Sequence, residues 1–296
     1  MPRMLIPCSP GRSFASNIKY PQNPRCSAPE SIIVSRARVA MCTLLPLPRL
    51  ALARISSMAH SSPPARQAPR ISANDLALFM VSSDTARLGI VRRSKFPQKP
   101  PIIRYRDVRT PVCNYLADRL RSVNPLVQAE AMFRQRANDP SMSSLRQDDA
   151  RQCIEVLRAI QGMGNQLGAF DFHSAPPSQP ALDLAGVEVS IRADLLVYGS
   201  SRGKDQIGAA VLRLTQSDAD TDAARSRRQD MGHYVATLAR MHLDANIPSS
   251  REPTNRLCLS IDVQHGEAFP CPASNTRRRN DLESACRFIA ALWPGA

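Results

Sequence analysis

An α+β fold is the class this sequence predicts, with a mixed β-sheet flanked by helices and a helical N-terminal portion. Three observations predict it. Apolar residues recur at helical spacing in separate segments up to about residue 167, the period drops to two between Leu182 and Ile191, and strand-like and helix-like segments then alternate to the C-terminus. A chain of 296 residues with 43% hydrophobic content has ample material for a buried core.

The first 57 residues differ in kind. They hold eight prolines, eight basic residues and one acid, Glu30, with no sustained period of either type. The leading expectation is an upstream extension with Met58 as the true start. A transit-type peptide comes second, because the segment is rich in Arg and Ser and poor in acid. A secretory signal comes third, since its candidate apolar core, Val39–Leu52, is broken by Pro46, Pro48 and Arg49. Residues 58–70 read as a flexible polar leader, residues 71–140 as the helical portion and residues 141–296 as an α/β core.

Each element has a local reason. Ser72 followed three residues on by Asp75 is an N-cap signature, with Leu76, Phe79 and Met80 behind it at helical spacing. Pro97, Pro100 and Pro101 make an extended link into Ile102–Tyr105. Short helices are expected at Val112–Leu120 and Pro125–Arg136, the second with an apolar face of Val127, Ala131 and Phe133. A longer helix is expected from Leu145 to about Leu167, capped by Ser143, with a stripe of Cys153, Val156, Leu157, Ile160 and Met163. Leu182 to Ile191 alternates around a turn at Gly186. Asp194–Tyr198 and Ile207–Thr215 are further strands, joined by a turn at Gly199–Lys204. The polar stretch Gln216–Arg228 leads to a helix through Met231, Val235, Leu238 and Met241. Leu257–Val263 turns at Gln264-His265-Gly266 to pair with Glu267–Pro270, and Asn280–Trp293 closes the chain as an amphipathic helix.

Several motifs are excluded by spacing. Gly199–Lys204 has three residues between its glycines where a phosphate loop needs four, and Asp205 follows the lysine. Leu167 stands where a dinucleotide fingerprint beginning at Gly162 needs glycine. His233 and His242 lie nine positions apart on a helix, hence on opposite faces, and cannot chelate one ion. Eight cysteines show no C-x-x-C and no pairing with histidine, so neither a zinc site nor a disulfide framework is indicated. That usage fits a reducing, cytoplasmic setting. No apolar run reaches 18 residues, so no membrane span is expected.

The formal charge of +14 suggests a nucleic-acid partner, but residues 58–296 hold 31 basic against 24 acidic residues and are only mildly basic. Only four of the 39 basic residues are lysine. Such a bias reads first as the mark of a GC-rich genome, with attraction for polyanions left open.

The order helix, strand, strand, strand, helix, strand, with Asp194 opening the second strand, resembles the core of the PD-(D/E)XK nuclease superfamily. It is similar also to a set of uncharacterised bacterial proteins with a helical front and a nuclease-like rear. The resemblance covers Leu145 to Trp293. It implies a restriction-endonuclease-like core and a Mg²⁺ site in which carboxylates hold the cation and a basic residue steadies the phosphate. Asp194, within Arg192-Ala193-Asp194-Leu195-Leu196, matches the strand acid, with alanine where the family has proline. Glu155 on the long helix matches the helix acid, and Gln229 and Tyr234 match loosely the pair that opens the next helix in RecB-type members. Val211-Leu212-Arg213 stands where the family has acid-x-Lys, so one carboxylate is missing and Arg213 replaces lysine. The resemblance therefore implies Asp194 and Glu155 as metal ligands and Arg213 as the phosphate contact, in a degenerate site.

Plainer readings stand beside these. Asp194 reads as a ladder-end acid, and Glu155, between Arg151 and Arg158, as part of a solvated ion-pair face. Arg213 and Asp262 are expected to point outward from their strands, and Arg277–Arg279 to be solvated. Two functions follow: a nucleic-acid-related protein with a degenerate phosphodiesterase site, or a non-enzymatic interaction module with a protein partner.

Overall fold

The computed structural model describes residues 65–98, 100, 102–215 and 221–296. The expectations for residues 1–57, for the leader up to residue 64 and for residues 216–220 of the polar stretch lie outside the described residues. The elements of this unit, which begins at Ala59, are β1 (Arg70–Ser72), α1 (Ala73–Met80), α2 (Asp84–Lys95), α3 (Arg109–Ala117), α4 (Asn124–Asn138), α5 (Ser144–Gly162), α6 (Gly164–Leu167), β2 (Asp171–Ser174), β3 (Leu182–Leu184), β4 (Val187–Ser190), β5 (Leu195–Ser201), β6 (Lys204–Arg213), α7 (Asp222–Asn246), β7 (Glu252–Pro253), β8 (Leu259–Asp262), β9 (Glu267–Pro270) and α8 (Thr276–Leu292). The fold is α+β.

The larger sheet has the order β2-β5-β6-β8-β9, with β7 also beside β6. Strands β2, β5 and β6 are antiparallel neighbours, whereas β8 runs parallel to β6 after the crossover through α7. Successive side chains of β5 enter different cores. Leu195 and Val197 join Phe133, Val156, Leu157 and Ile160 of α4 and α5, while Leu196 joins Val235 and Leu238 of α7. A smaller sheet, β1-β4-β3, packs into the α7 side with α1 and α8.

Local chemistry places most boundaries. Ser72 caps α1 by accepting the Asp75 N–H at 3.0 Å. Ala185 and Gly186, both with positive φ, form the β3–β4 turn. Asp118 ends α3 by accepting the N–H groups of Leu120 and Ser122 at 3.1 and 2.8 Å, which leaves Leu120 outside the helix and 89% exposed. Thr221 starts α7 by accepting the Ala224 N–H, earlier than the apolar stripe alone suggests.

Several expectations are corrected. The buried stripe of α4 is Leu126, Ala129, Phe133 and Ala137, and Val127 is 55% exposed. Phe133 sets the phase, and the positions four and seven residues from it, Ala129, Ala137 and Leu126, fall inward. The strand beside β5 is β2, not the 182–190 hairpin, which belongs to the smaller sheet. Strands β5 and β6 extend to Ser201 and Lys204, leaving only Arg202 and Gly203 as the turn. Helix α2 had no strong apolar signal, since only Ile90, Val91 and Ser94 of its residues are buried.

The largest correction concerns Arg213 and Asp262. Neither points outward. Their side chains are 5% and 1% exposed and pair at 3.4 Å beneath α7. Helices cover both faces of β6, so that strand has no solvent face to offer. Two of the three arginines at the start of α8 are also paired, Arg278 with Asp230 at 3.1 Å and Arg279 with Asp244 at 3.7 Å.

Candidate functional site

Asp194 immediately precedes β5. Its N–H donates to the Ala210 carbonyl at 2.8 Å, and its Oδ2 accepts the Leu212 N–H at 2.7 Å, so the carboxylate extends the β5–β6 ladder by one rung. Its Oδ1 pairs with Arg109 Nη1 of α3 at 2.6 Å, and Arg109 Nη2 donates to the Leu212 carbonyl at 3.2 Å. This guanidinium clamps helix α3 to the sheet end.

Around that clamp opens a cleft of about 590 Å³. Four arginines line it: Arg104 and Arg106 from the connection before α3, Arg109 from α3 itself, and Arg192 from the segment between β4 and β5. Arg104 pairs with Asp148 at 2.8 Å and Arg109 with Asp194. Arg106 and Arg192 make no ion pair among the described residues. Among the described residues Asp194 is the single acid lining the cleft, and Asn74, Thr110 and Asn114 add neutral hydrogen-bonding groups.

Backbone strain aims the two connection arginines. Tyr105 has φ of 59°, in the left-handed region, and its N–H donates to Asp149 Oδ1 at 3.0 Å. Its ring is buried in the α4–α5 core while Arg104 and Arg106 on either side remain exposed. A bulky residue held in that conformation costs on the order of 1–3 kcal/mol, which the buried ring and the Asp149 bond offset.

The other wall is held from α7. Gln179 grips Ala193 by both polar atoms, accepting its N–H and donating to its carbonyl, each at 2.9 Å. His242, fully buried, contacts Gln179 Oε1 through Nε2 at 2.9 Å, and Asn246 Nδ2 donates to its Nδ1 at 3.0 Å. With Nδ1 accepting, the proton sits on Nε2 and the ring is neutral. Burial holds the His242 pKa below its usual value. Its protonation is therefore opposed in the folded state and free in the unfolded one. The resulting stability is complete above pH ~6.5 and falls as pH drops below that value. Urea midpoints between pH 7 and 5 are expected to decline less steeply for His242→Leu, from a lower start. An unchanged slope would remove His242 from this role.

Cys113 lines the cleft, but burial first and Asp194 second push its thiol up to about 12. At neutral pH it is protonated and unsuited to nucleophilic attack.

The three residues implied by the nuclease resemblance do not form one constellation. Asp194 is in the cleft. Glu155 is exposed on α5, where it pairs with Arg158 at 3.3 Å. Arg213 lies under α7 with Asp262, whose Oδ1 contacts His265 Nδ1 at 2.9 Å. Val211, at the position of the family's missing acid, borders the cleft. These residues do not fit Mg²⁺, which is held through carboxylates free to face it. Both Asp194 oxygens are engaged, and four guanidinium groups line the same cleft and repel a cation. Among the described residues, no group of three or more His, Cys, Asp or Glu side chains is placed to hold a metal ion. Likewise, among those residues no helix is long and apolar enough to cross a membrane.

Sequence reasoning passed over Arg106, Arg109 and Arg192. Against a background of 35 arginines, no single one stands out, and the pairing of Arg109 with Asp194 spans 85 positions. No protein-family model matches this chain, and no curated protein matches it.

Proposed function

We propose that this protein binds nucleic acid through its phosphodiester backbone, on a PD-(D/E)XK-like scaffold that does not carry out the family's metal chemistry. The observation that carries the reading is the Asp194 cleft, with its four arginines to one acid. Two of those arginines, Arg106 and Arg192, are exposed and have no ion pair among the described residues. Planar guanidinium groups suit phosphate oxygens, which they contact in bidentate fashion. The order α5, β2, β5, β6, α7, β8, with its antiparallel trio and parallel fourth strand, supports the proposed kinship.

Among the described residues, no aromatic side chain on which a base could stack lines the cleft. Contacts are therefore to phosphate and sugar, and recognition is insensitive to sequence. Asp194 serves in this reading as the anchor of Arg109, not as a metal ligand.

Anisotropy of labelled oligonucleotides with the full-length protein tests the proposal. Binding is expected to weaken steeply with salt, and Arg106→Ala and Arg192→Ala should each reduce the log–log salt slope by about 1, whatever the base sequence. Binding that neither substitution alters would sink the proposal. Mg²⁺-dependent cleavage that disappears in Asp194→Ala would instead restore the nuclease reading.

A further inference from the structure

A second cleft, of about 560 Å³, opens beside the first. The two share a wall, since Ile103 and Arg106 border both. Beyond that ridge the second cleft is lined by Arg136 of α4 and Arg146 of α5. Arg136 pairs with Asp107, whereas Arg146 is exposed and makes no ion pair among the described residues. Its other acid, Asp149, accepts the Tyr105 N–H. Together the clefts present six arginines to three aspartates, and all three aspartates already hold protein partners.

We propose that the two clefts form one track for an extended nucleic-acid strand, running from Arg192 past Arg106 to Arg146. This rests on the nucleic-acid reading and specifies its ligand, a strand of several consecutive phosphates rather than a mononucleotide or free phosphate. Three features support it. Arginines without an ion pair among the described residues border the first cleft, the shared ridge and the second cleft, so charge is offered in both clefts and between them. Ile103, 64% exposed at the ridge, gives the sugar edge an apolar surface between two charged stations. The strained Tyr105 fixes the ridge itself, holding Arg106 where both clefts reach it.

The test compares a trinucleotide with a fifteen-nucleotide strand, using the full-length protein and anisotropy competition at one low salt concentration. Arg192→Ala is expected to weaken both ligands roughly tenfold. Arg146→Ala should weaken only the longer strand by a similar factor and leave the trinucleotide unchanged. Arg202→Ala, in the turn at the other end of β5, should alter neither, and basic residues in the N-terminal segment are common to every variant. If Arg192→Ala weakens binding while Arg146→Ala has no effect at either length, the track is overturned and the single-cleft reading survives. If neither Arg192→Ala nor Arg106→Ala has an effect, the nucleic-acid reading fails with it. Stronger displacement of the long strand by anionic phospholipid vesicles than by unlabelled strand, at equal phosphate, would also overturn the track.

Discussion

Replacing Asp262 with alanine is expected to remove about 3–5 kcal/mol of stability, a large part of what holds a domain of this size. Asp262 is fully buried and answers three groups: Arg213 at 3.4 Å, and the ring and backbone N–H of His265 at 2.9 and 3.4 Å. Burial pulls the Arg213 pKa below its usual value, opposed by Asp262 and then Glu267. Among the described residues, neither Arg213 Nη1 nor Asp262 Oδ2 has a hydrogen-bond partner, so the two groups are held together by charge. Without Asp262 a buried positive charge faces Arg228 with less compensation. Thermal and urea denaturation of Asp262→Ala would measure the loss. Pairing it with Arg213→Met should recover most of it, because an apolar pair need not be solvated. A loss below about 1 kcal/mol for Asp262→Ala alone would mean that water reaches this pair and the burial argument is wrong.

That pair was within reach of the sequence as well. Helix α8 and the α5 stripe could be read directly, because Leu282, Cys286 and Ile289, and Val156, Leu157 and Ile160, sit at intervals that select one face. An inward Arg213 could have been read as well. Ile207 to Leu214 is apolar or glycine at every position except Arg213. A strand without alternation is covered on both faces, so its one charge must be inside and must have an acid. Asp262, the lone acid in Leu257–Val263, was the candidate. Reading each charge by itself as outward missed the pair that two such strands imply together.

Strand β2 was beyond such reasoning. In Asp171-Phe172-His173-Ser174 only Phe172 is buried, and one apolar residue defines no period. The same limit hid the cleft. Arg104, Arg106, Arg109 and Arg192 belong to three segments, and only α3, clamped on the sheet by Arg109 and Asp194, brings them together. Asp194 was legible as an acid at a strand end, but not its partner: whether such a carboxylate faces a cation or a guanidinium depends on a residue 85 positions away.

The second large effect belongs to a residue with no side chain. A Cβ added to Gly208 on β6 would lie 2.0 Å from the Leu257 carbonyl oxygen and 2.2 Å from its carbon. The helical turn Asn255–Leu257 passes directly over the sheet there, pinned by Thr254 N–H to the Ile207 carbonyl at 2.9 Å. Backbone atoms cannot rotate aside, so Gly208→Ala must push this turn off the sheet and break that bond. A cost of about 3 kcal/mol is expected, the upper part of the range for overpacking. Gly199→Ala on β5 is the control. Its Cβ would meet the flexible end of the same Leu257 side chain, at 3.1 Å, and the cost should stay under about 1 kcal/mol. Adding Leu257→Ala should relieve the Gly199 variant and leave the Gly208 variant unrelieved, because the obstructing atoms in the second case are main chain. Equal losses for the two glycine variants in urea denaturation would show that the turn yields freely and does not anchor the sheet.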